Sequence, residues 1–399
     1  MASKAPSLRQ AISEDEAASL LGDLVAIPSV NPLHGTEVDP PFGEAGVAKY
    51  VADFGRSLGL VVERQTVLPG RDNVLVRLEG NDPGRCLLFE CHMDTVPGWT
   101  SEPGPFDPRI QGGRLYGRGA CDVKGTLTSM LLALRLLVTR GIKPPRTIVL
   151  AATVDEEHQA RGVHRLAADE AFAEAAVVAE PTELSVVVAH KGCVRWRLVT
   201  RGRSAHSSKA ELGVNAIDAM VDVLAELRRT VSTDLMTRVH PLVGHPTMSI
   251  CTIRGGVAVN VIPDECVVEI DRRTIPNEDL DRVLHSMTAT VEEIVAAHPG
   301  LHAELEPPFV VDPALGTSVD APIVKDLTRA VSTIVGRRDV RGVAFGTDAS
   351  KLSQVGIPCV VFGPGSIDLA HTDQESIEIA EVARAAEILA TLALDEGQV

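Results

Sequence analysis

The sequence has no CxxC pair, and its cysteines, at positions 86, 91, 121, 193, 251, 266 and 359, are odd in number. That pattern suggests neither a disulfide framework nor a thiolate zinc site. Several of them sit inside apolar runs, as buried free thiols do, and a reducing compartment suits them. An excess of basic charge is also missing, since the net charge is −16. Nucleic acids and anionic membranes both call for a basic face, so the balance argues against either partner. The acidity reads as a solubility feature. The N-terminal stretch MASKAPSLRQAISEDEAASLL has no apolar signal core. The most hydrophobic helix, TLTSMLLALRLLVTRG, is interrupted by Arg135 and is too short to span a bilayer. Together these features point to a cytoplasmic protein. Internal repeats and low-complexity tracts are lacking too.

What is present is a globular chain of 399 residues, longer than one domain usually holds, so two domains are expected. Ser13 and Glu16 suit a capping box for a helix running toward Val25. A second helix follows over EAGVAKYVADFGRSLG. Strands are expected at NVLVRLEG, RCLLFECH, RTIVLAATVD and AAVVAE, with a buried helix near 124–139. Near-continuous apolar strands separated by helices indicate a mostly parallel sheet covered by helices. After Glu180 the pattern changes. A strand over VVVAHKGCVRWRLVTRG, a helix, the strand pair TMSICTIRGG and DECVVEIDRRTI, another helix, and the strand HAELEPPFVV follow. That β-α-β-β-α-β order is ferredoxin-like. The fold class is therefore α/β with an inserted α+β domain: residues 1–186 and 307–399 form the first domain and flank an insert over 187–306. The closing segment brings a helix over SVDAPIVKDLTRAVSTIVG, a strand PCVVFG, and a helix over SIEIAEVARAAEILATLAL.

In an open α/β sheet, ligands collect at the carboxyl ends of the strands. His92 and Asp94 follow RCLLFE, and Asp155, Glu156 and Glu157 follow TIVLAATV. Glu180 closes AAVVA, His371 comes shortly after CVVFGPG, and Asp122 sits in the glycine-rich turn GRGACDVKG. Taken singly, each has a bland explanation. A lone histidine at a strand end is commonly a satisfied hydrogen-bonding residue, DEEH a solvated turn, and Cys91 and Cys121 packing residues. Their coincidence at several strand ends carries the inference. Two imidazoles and several carboxylates facing one crevice call for a cation to hold them together. Imidazole plus carboxylate, without thiolate, suits zinc or a neighbouring first-row divalent metal. The set exceeds the needs of one tetrahedral ion. Two metals about 3.5–4 Å apart, sharing a bridging carboxylate, would employ it all.

These residues lie in HMDTVP, GRGACDVKG, DEEHQARG, AEPTEL, AHKG, GRSAHSSKAELGVNAI, NVIPDE, DRRTIP and FGPGSIDLAHTDQE. A set this long, in this order, resembles the dinuclear zinc amidohydrolases. That family includes acetylornithine deacetylase, succinyl-diaminopimelate desuccinylase, aminoacylases and a glutamate-releasing carboxypeptidase. The resemblance covers nearly the whole chain. It implies a catalytic α/β domain, an inserted lid that mediates dimerisation, and two divalent metal ions, zinc first and cobalt as the substitute. On this sequence it implies that His92 binds one metal and His371 the other, with Asp122 bridging. Glu157 would complete the site of His371, and Glu180 that of His92. Asp94 would accept the other ring N–H of His92. Glu156 would be the general base, close to the metals yet unbound. His206 would act in the neighbouring subunit's site and steady the oxyanion; a loop histidine capping SAHSS is the alternative. Asn260 and Arg273 match positions that contact substrate, Arg273 being suited to a carboxylate. Arginine on a strand is also commonly a solvated charge. His158 and Gln159 depart from the small or aliphatic residues common there, and His158 is expected to point away from the metals.

The implied activity is hydrolysis of the amide bond of an N-acyl amino acid by a metal-activated water. AEPTEL and AHKG look most like acetylornithine deacetylase. Desuccinylase and aminoacylase or dipeptidase-type carboxypeptidase activities remain open, because related enzymes share these stretches. A non-catalytic, small-molecule-binding relative should have lost ligands or the base, whereas this chain keeps every such position. The expected partners are a small N-acyl amino acid and a second copy of the chain, bound through the insert.

Overall fold

The computed structural model describes residues 8–33, 41–168, 173–298 and 301–395. The chain forms two compact units, the first from residues up to Val188, Thr317–Arg341 and Thr347 onward, the second from Ala189–Gly316 and Gly342–Gly346. Residues 1–7, part of the stretch read for a signal core, lie outside the described residues. Among the described residues no helix is long and apolar enough to cross a membrane.

The first unit opens with α1 (Glu14–Val25) and α2 (Ala45–Ser57). The capping box is present at α1: Ser13 Oγ accepts from the Glu16 amide, and the Glu16 carboxylate accepts from the Ser13 amide. Next come β1 (Val61–Leu68), β2 (Arg71–Leu78), β3 (Asp82–His92), β4 (Arg109–Gln111), β5 (Arg114–Tyr116) and α3 (Lys124–Thr139). β6 (Arg146–Thr153), α4 (Arg161–Ala167), β7 (Ala175–Ala179) and β8 (Val187–His190) complete this part. Sequence patterning missed β1, because its charged residues leave none of its positions buried.

The second unit contains β9 (Gly192–Arg201), β10 (Ala205–His206), α5 (Ala216–Met236), β11 (Thr247–Gly255), β12 (Val261–Ile262) and β13 (Glu265–Thr274). α6 (Leu280–Ala297), β14 (Ala303–Leu305), β15 (Val310–Asp312) and β16 (Leu315–Gly316) follow. Its antiparallel sheet has the order β11-β13-β9-β14, the ferredoxin-like arrangement. Trp196, Leu198, Val268 and Ile270 pack beneath Met220, Val223 and Leu227 of α5 and Met287, Val291 and Ile294 of α6. Residues alternate in a strand, so the other sheet face carries cross-strand pairs such as Arg195–Asp271 at 2.8 Å and Arg197–Glu269 at 3.2 Å. The strand expected over VVVAHKGCVRWRLVTRG breaks at Lys191 into β8 and β9. Gly192 explains the break: a Cβ there would lie 2.4 Å from the Asp312 carbonyl oxygen and 2.5 Å from Thr274 Oγ1. The unit also runs to Gly316 rather than 306, because β15 pairs with β9 at Val310 and Arg195.

The return segment brings α7 (Pro322–Val335), β17 (Arg341–Val343), α8 (Ala349–Gln354), β18 (Cys359–Phe362), β19 (Ser376–Glu378) and α9 (Ile379–Ala393). Ser376–Glu378 is strand rather than the start of a helix, because it pairs with β5. In the first unit the sheet order is β1-β2-β6-β3-β7-β18-β8, and β6, β3, β7 and β18 are mutually parallel. α3 packs against β3 as well as α1 and α9, which is why nearly all of its residues are buried. Arg135, the charge that interrupts it, escapes to its rim and pairs with Glu16 at 2.9 Å.

Candidate metal centre and active site

Parallel strands deliver their carboxyl ends to one edge. β3 ends at His92, Glu180 follows β7, and Glu156 and Glu157 follow β6. His371 lies beyond β18, past a turn in which Gly363 is required: a Cβ there would sit 2.4 Å from Thr126 Oγ1 and 2.5 Å from the Glu180 carbonyl oxygen. Asp122 comes from the loop before α3.

Asp122 lies between the two imidazoles. Its Oδ1 is 3.3 Å from His92 Nε2 and its Oδ2 is 3.1 Å from His371 Nε2. Glu157 Oε1 is 3.2 Å from the same nitrogen of His371. Two donor groups result, His92–Asp122–Glu180 and Asp122–Glu157–His371, each with its atoms within 4.8 Å of one another. The structure thus brings five distant side chains together, the Asp122 carboxylate being common to both groups.

These residues fit divalent cations on two counts. His92 Nε2 is buried with no hydrogen bond of good geometry, while its Nδ1 is held 3.0 Å from a backbone carbonyl oxygen. An imidazole anchored by one nitrogen, with the other aimed at carboxylates, is arranged as a metal ligand is. The electrostatics agree. Burial raises the carboxyl pKa values of Glu157 and Glu180, and Asp122 adds to both. Burial disfavours the His92 imidazolium, yet Asp122, Glu156 and Asp94 outweigh it and raise its pKa. Asp122 and Glu157 push His371 up to about 10. The cluster therefore draws positive charge strongly, and nitrogen and oxygen donors without thiolate are suited to zinc and its neighbours.

Glu156 stands outside both donor groups. Burial, with Glu157 and Asp94 adding to it, pushes its carboxyl up to about 8, against the opposing pull of His92 and Lys351. Asp94 is placed differently from expectation. The acceptor for His92 Nδ1 is the Asp94 backbone oxygen, and the Asp94 carboxylate is farther away at 3.7 Å. That carboxylate is committed elsewhere: it accepts the amides of Glu156 at 3.1 Å and Glu157 at 3.0 Å, and the side chain of Asn31 at 2.7 Å. It holds the backbone from which the glutamate pair projects.

Asp155, just before that pair, has φ 73°, a left-handed conformation uncommon for a residue with a side chain. Its carboxylate is gripped by Arg161 Nε at 2.5 Å, Arg71 Nη2 at 3.1 Å and Asn31 Nδ2 at 3.2 Å. Arg71 in turn holds Glu44 through two bonds. Arg71, Glu44 and Asn31 carry no local signal in the sequence. Glu375 was equally silent, although it ends the motif FGPGSIDLAHTDQE; its carboxylate accepts the amides of Cys121 and Asp122, each at 3.0 Å.

The remaining expected site residues belong to the second unit. His206 lies exposed on β10, paired with Val261 of β12, and its Nδ1 accepts from the Ser208 amide at 3.2 Å. Asn260 is beside it, its carbonyl oxygen accepting from the Ser207 amide at 3.0 Å. Arg273 lies on β13 with its Nε on Asp271 at 2.8 Å, so a substrate carboxylate would compete with an internal partner.

A family model described as Peptidase family M20/M25/M40 matches residues 88–395. Acetylornithine deacetylase of Proteus mirabilis is 32% identical over 386 residues, spanning 94% of this chain and 95% of that protein. Among solved structures, aminopeptidase PepT of Bacillus cereus has a TM-score of 0.79 at 24% identity, covering 96% of this chain and 98% of its own. The Bacillus subtilis YXEP protein, described as a dinuclear metal-binding peptidase of the M20 family, has a TM-score of 0.72 at 18% identity and covers 96% and 97%.

Proposed function

The chain belongs to peptidase family M20/M25/M40, a family of metal-dependent peptidases and amidohydrolases, and from that premise we propose that it hydrolyses the amide bond of a small N-acyl amino acid. The observation that carries this reading is Asp122 set between two imidazoles, with Glu156 within electrostatic reach of His92 and outside both donor groups. His92, Asp122 and Glu180 would hold one divalent cation, and Asp122, Glu157 and His371 the other, with zinc first and cobalt as a substitute. Bound there, such ions supply Lewis acidity toward a carbonyl oxygen and lower the pKa of a water.

The chain's own residues do the rest. Glu156 takes one proton from the attacking water as the carbon–oxygen bond forms, and returns it to the amine nitrogen as the carbon–nitrogen bond breaks. Asp94 keeps the Glu156 and Glu157 backbone in place, so that one carboxylate can serve as ligand and its neighbour as base. The partner subunit's His206 would steady the oxyanion, with Asn260 and Arg273 toward the substrate, in a homodimer formed through the second unit. Similarity to acetylornithine deacetylase favours an acetyl group on a diamino acid. Desuccinylation and dipeptide cleavage are the rival activities. Thiols throughout, six of them buried, suit a cytoplasmic setting.

The test is a panel of N-acetylornithine, N-succinyl-diaminopimelate, other N-acyl amino acids and dipeptides, each with zinc, cobalt and manganese. Turnover of N-acetylornithine above the others is expected, and no turnover of any substrate would reject the reading. Glu156→Gln should keep its metal and lose activity by about a hundredfold to ten-thousandfold. Near-normal turnover in that variant would remove Glu156 from its role.

A further inference from the structure

Asp122 and His371 both project from loops, one between β5 and α3, the other between β18 and β19. Loops alone do not hold two groups to a few tenths of an ångström, yet Asp122 must reach both imidazoles with one carboxylate. His371 is the weaker point. Its side chain is 51% exposed, against 3% for His92, so packing fixes it least. Something else has to tie its segment to the loop of Asp122.

Glu375, four residues beyond His371, makes that tie. Its backbone oxygen accepts from the Gly117 amide at 3.1 Å, extending the pairing of Ser376 with Tyr116. Its side chain then turns back over the loop. Oε1 accepts the amides of both Cys121 and Asp122 at 3.0 Å, and Oε2 accepts from Arg118 Nη1 at 2.6 Å. Glu375 is 1% exposed and Arg118 4%, so these charge-assisted bonds form away from water. Arg118 is itself fixed, by Nε on the Pro97 carbonyl oxygen at 3.2 Å and by its place 5.5 Å over the Trp99 ring. Asp94 treats the Glu156–Glu157 backbone in the same manner. Two buried carboxylates thus each grip two consecutive amides of a ligand-bearing turn.

We infer that Glu375 is a positioning residue that sets the spacing of the two proposed metal sites, by tying the Asp122 loop to the segment of His371. This depends on the dinuclear reading of the centre. Glu375→Gln keeps the shape, removes the charge, and turns an NH2 group toward either Arg118 or the two amides, all of which are donors.

Zinc binding to the metal-free full chain, followed by competition with a chelator, tests the inference. Alongside it go the visible spectrum of the dicobalt protein and the thermal midpoint of the metal-free protein. Wild type is expected to take two ions per chain. In Glu375→Gln one ion should bind about 10- to 100-fold more weakly, with an altered dicobalt spectrum. Wild type that never takes two ions would overturn the dinuclear reading, and this inference with it. Wild type with two ions beside a variant of unchanged affinities and spectrum would overturn the inference alone, even if the thermal midpoint fell. Should Glu375→Gln not fold, Arg118→Gln decides: about tenfold weaker binding of one ion supports the tie, and unchanged affinity refutes it.

Discussion

Arg71→Met removes one cation from an enclosed set of charges. Arg71 is 4% exposed at its side chain, and both carboxylates that it meets, Glu44 and Asp155, are 0% exposed. Asp155 would keep Arg161 and Asn31 as partners. Glu44 would lose both of its guanidinium bonds, at 2.7 and 2.5 Å, and keep only neutral backbone donors among the described residues, the Asp155 amide at 3.1 Å and its own amide. Stranding one partner of a buried pair costs about 3–5 kcal/mol, or about a hundredfold to several thousandfold in the folding equilibrium. Urea unfolding of the metal-free protein, with wild type and variant compared near neutral pH, measures it. The pH dependence carries a sign. Burial already raises the Glu44 carboxyl, and removing Arg71 raises it further. A raised folded pKa means that the native state binds more protons than the unfolded one. The variant's stability should therefore fall as pH climbs past the ordinary glutamate value of about 4.3, and its deficit should shrink near that pH. Adding Glu44→Gln should restore part of the loss. A cost below about 1 kcal/mol near neutral pH, or a deficit that stays constant toward acid, would refute the reasoning.

Two more outcomes can be measured. Glu174 is partly buried between Arg85 at 2.9 Å and Arg146 at 2.5 Å; burial pushes its carboxyl up, but the two guanidinium groups hold it below the ordinary range. With a depressed folded pKa, its contribution is present above about pH 4.3 and lost as pH falls through the folded value. The thermal midpoint of wild type should exceed that of Glu174→Gln near pH 6, and the two should converge toward about pH 3; parallel curves would count against the pairing. For the proposed shared site, His206→Ala and Glu156→Gln are each expected to be nearly inactive. Mixed with subunit exchange, they should recover about a quarter of wild-type activity, because half the dimers are hybrids with one intact site. No recovery despite demonstrated exchange would place His206 outside the neighbouring site.

The sequence by itself determined the parallel strands, the buried helix over 124–139, the capped helix at Ser13 and the residue types that meet at the strand ends. Each of these follows from apolar periodicity or from side-chain chemistry within a few residues, which every stretch of chain carries with it. The tertiary structure alone decided the rest. The break at Gly192 comes from the close approach of Asp312 and Thr274. β19 exists because β5 lies alongside it, and the Asp94 carboxylate serves two amides rather than an imidazole because β6 delivers the glutamate pair to it. The grip of Glu375 on Asp122 spans 253 residues. Such partners are chosen by which hydrogen-bonding groups the packed core brings within reach, a property of the assembled layers that no local spacing encodes.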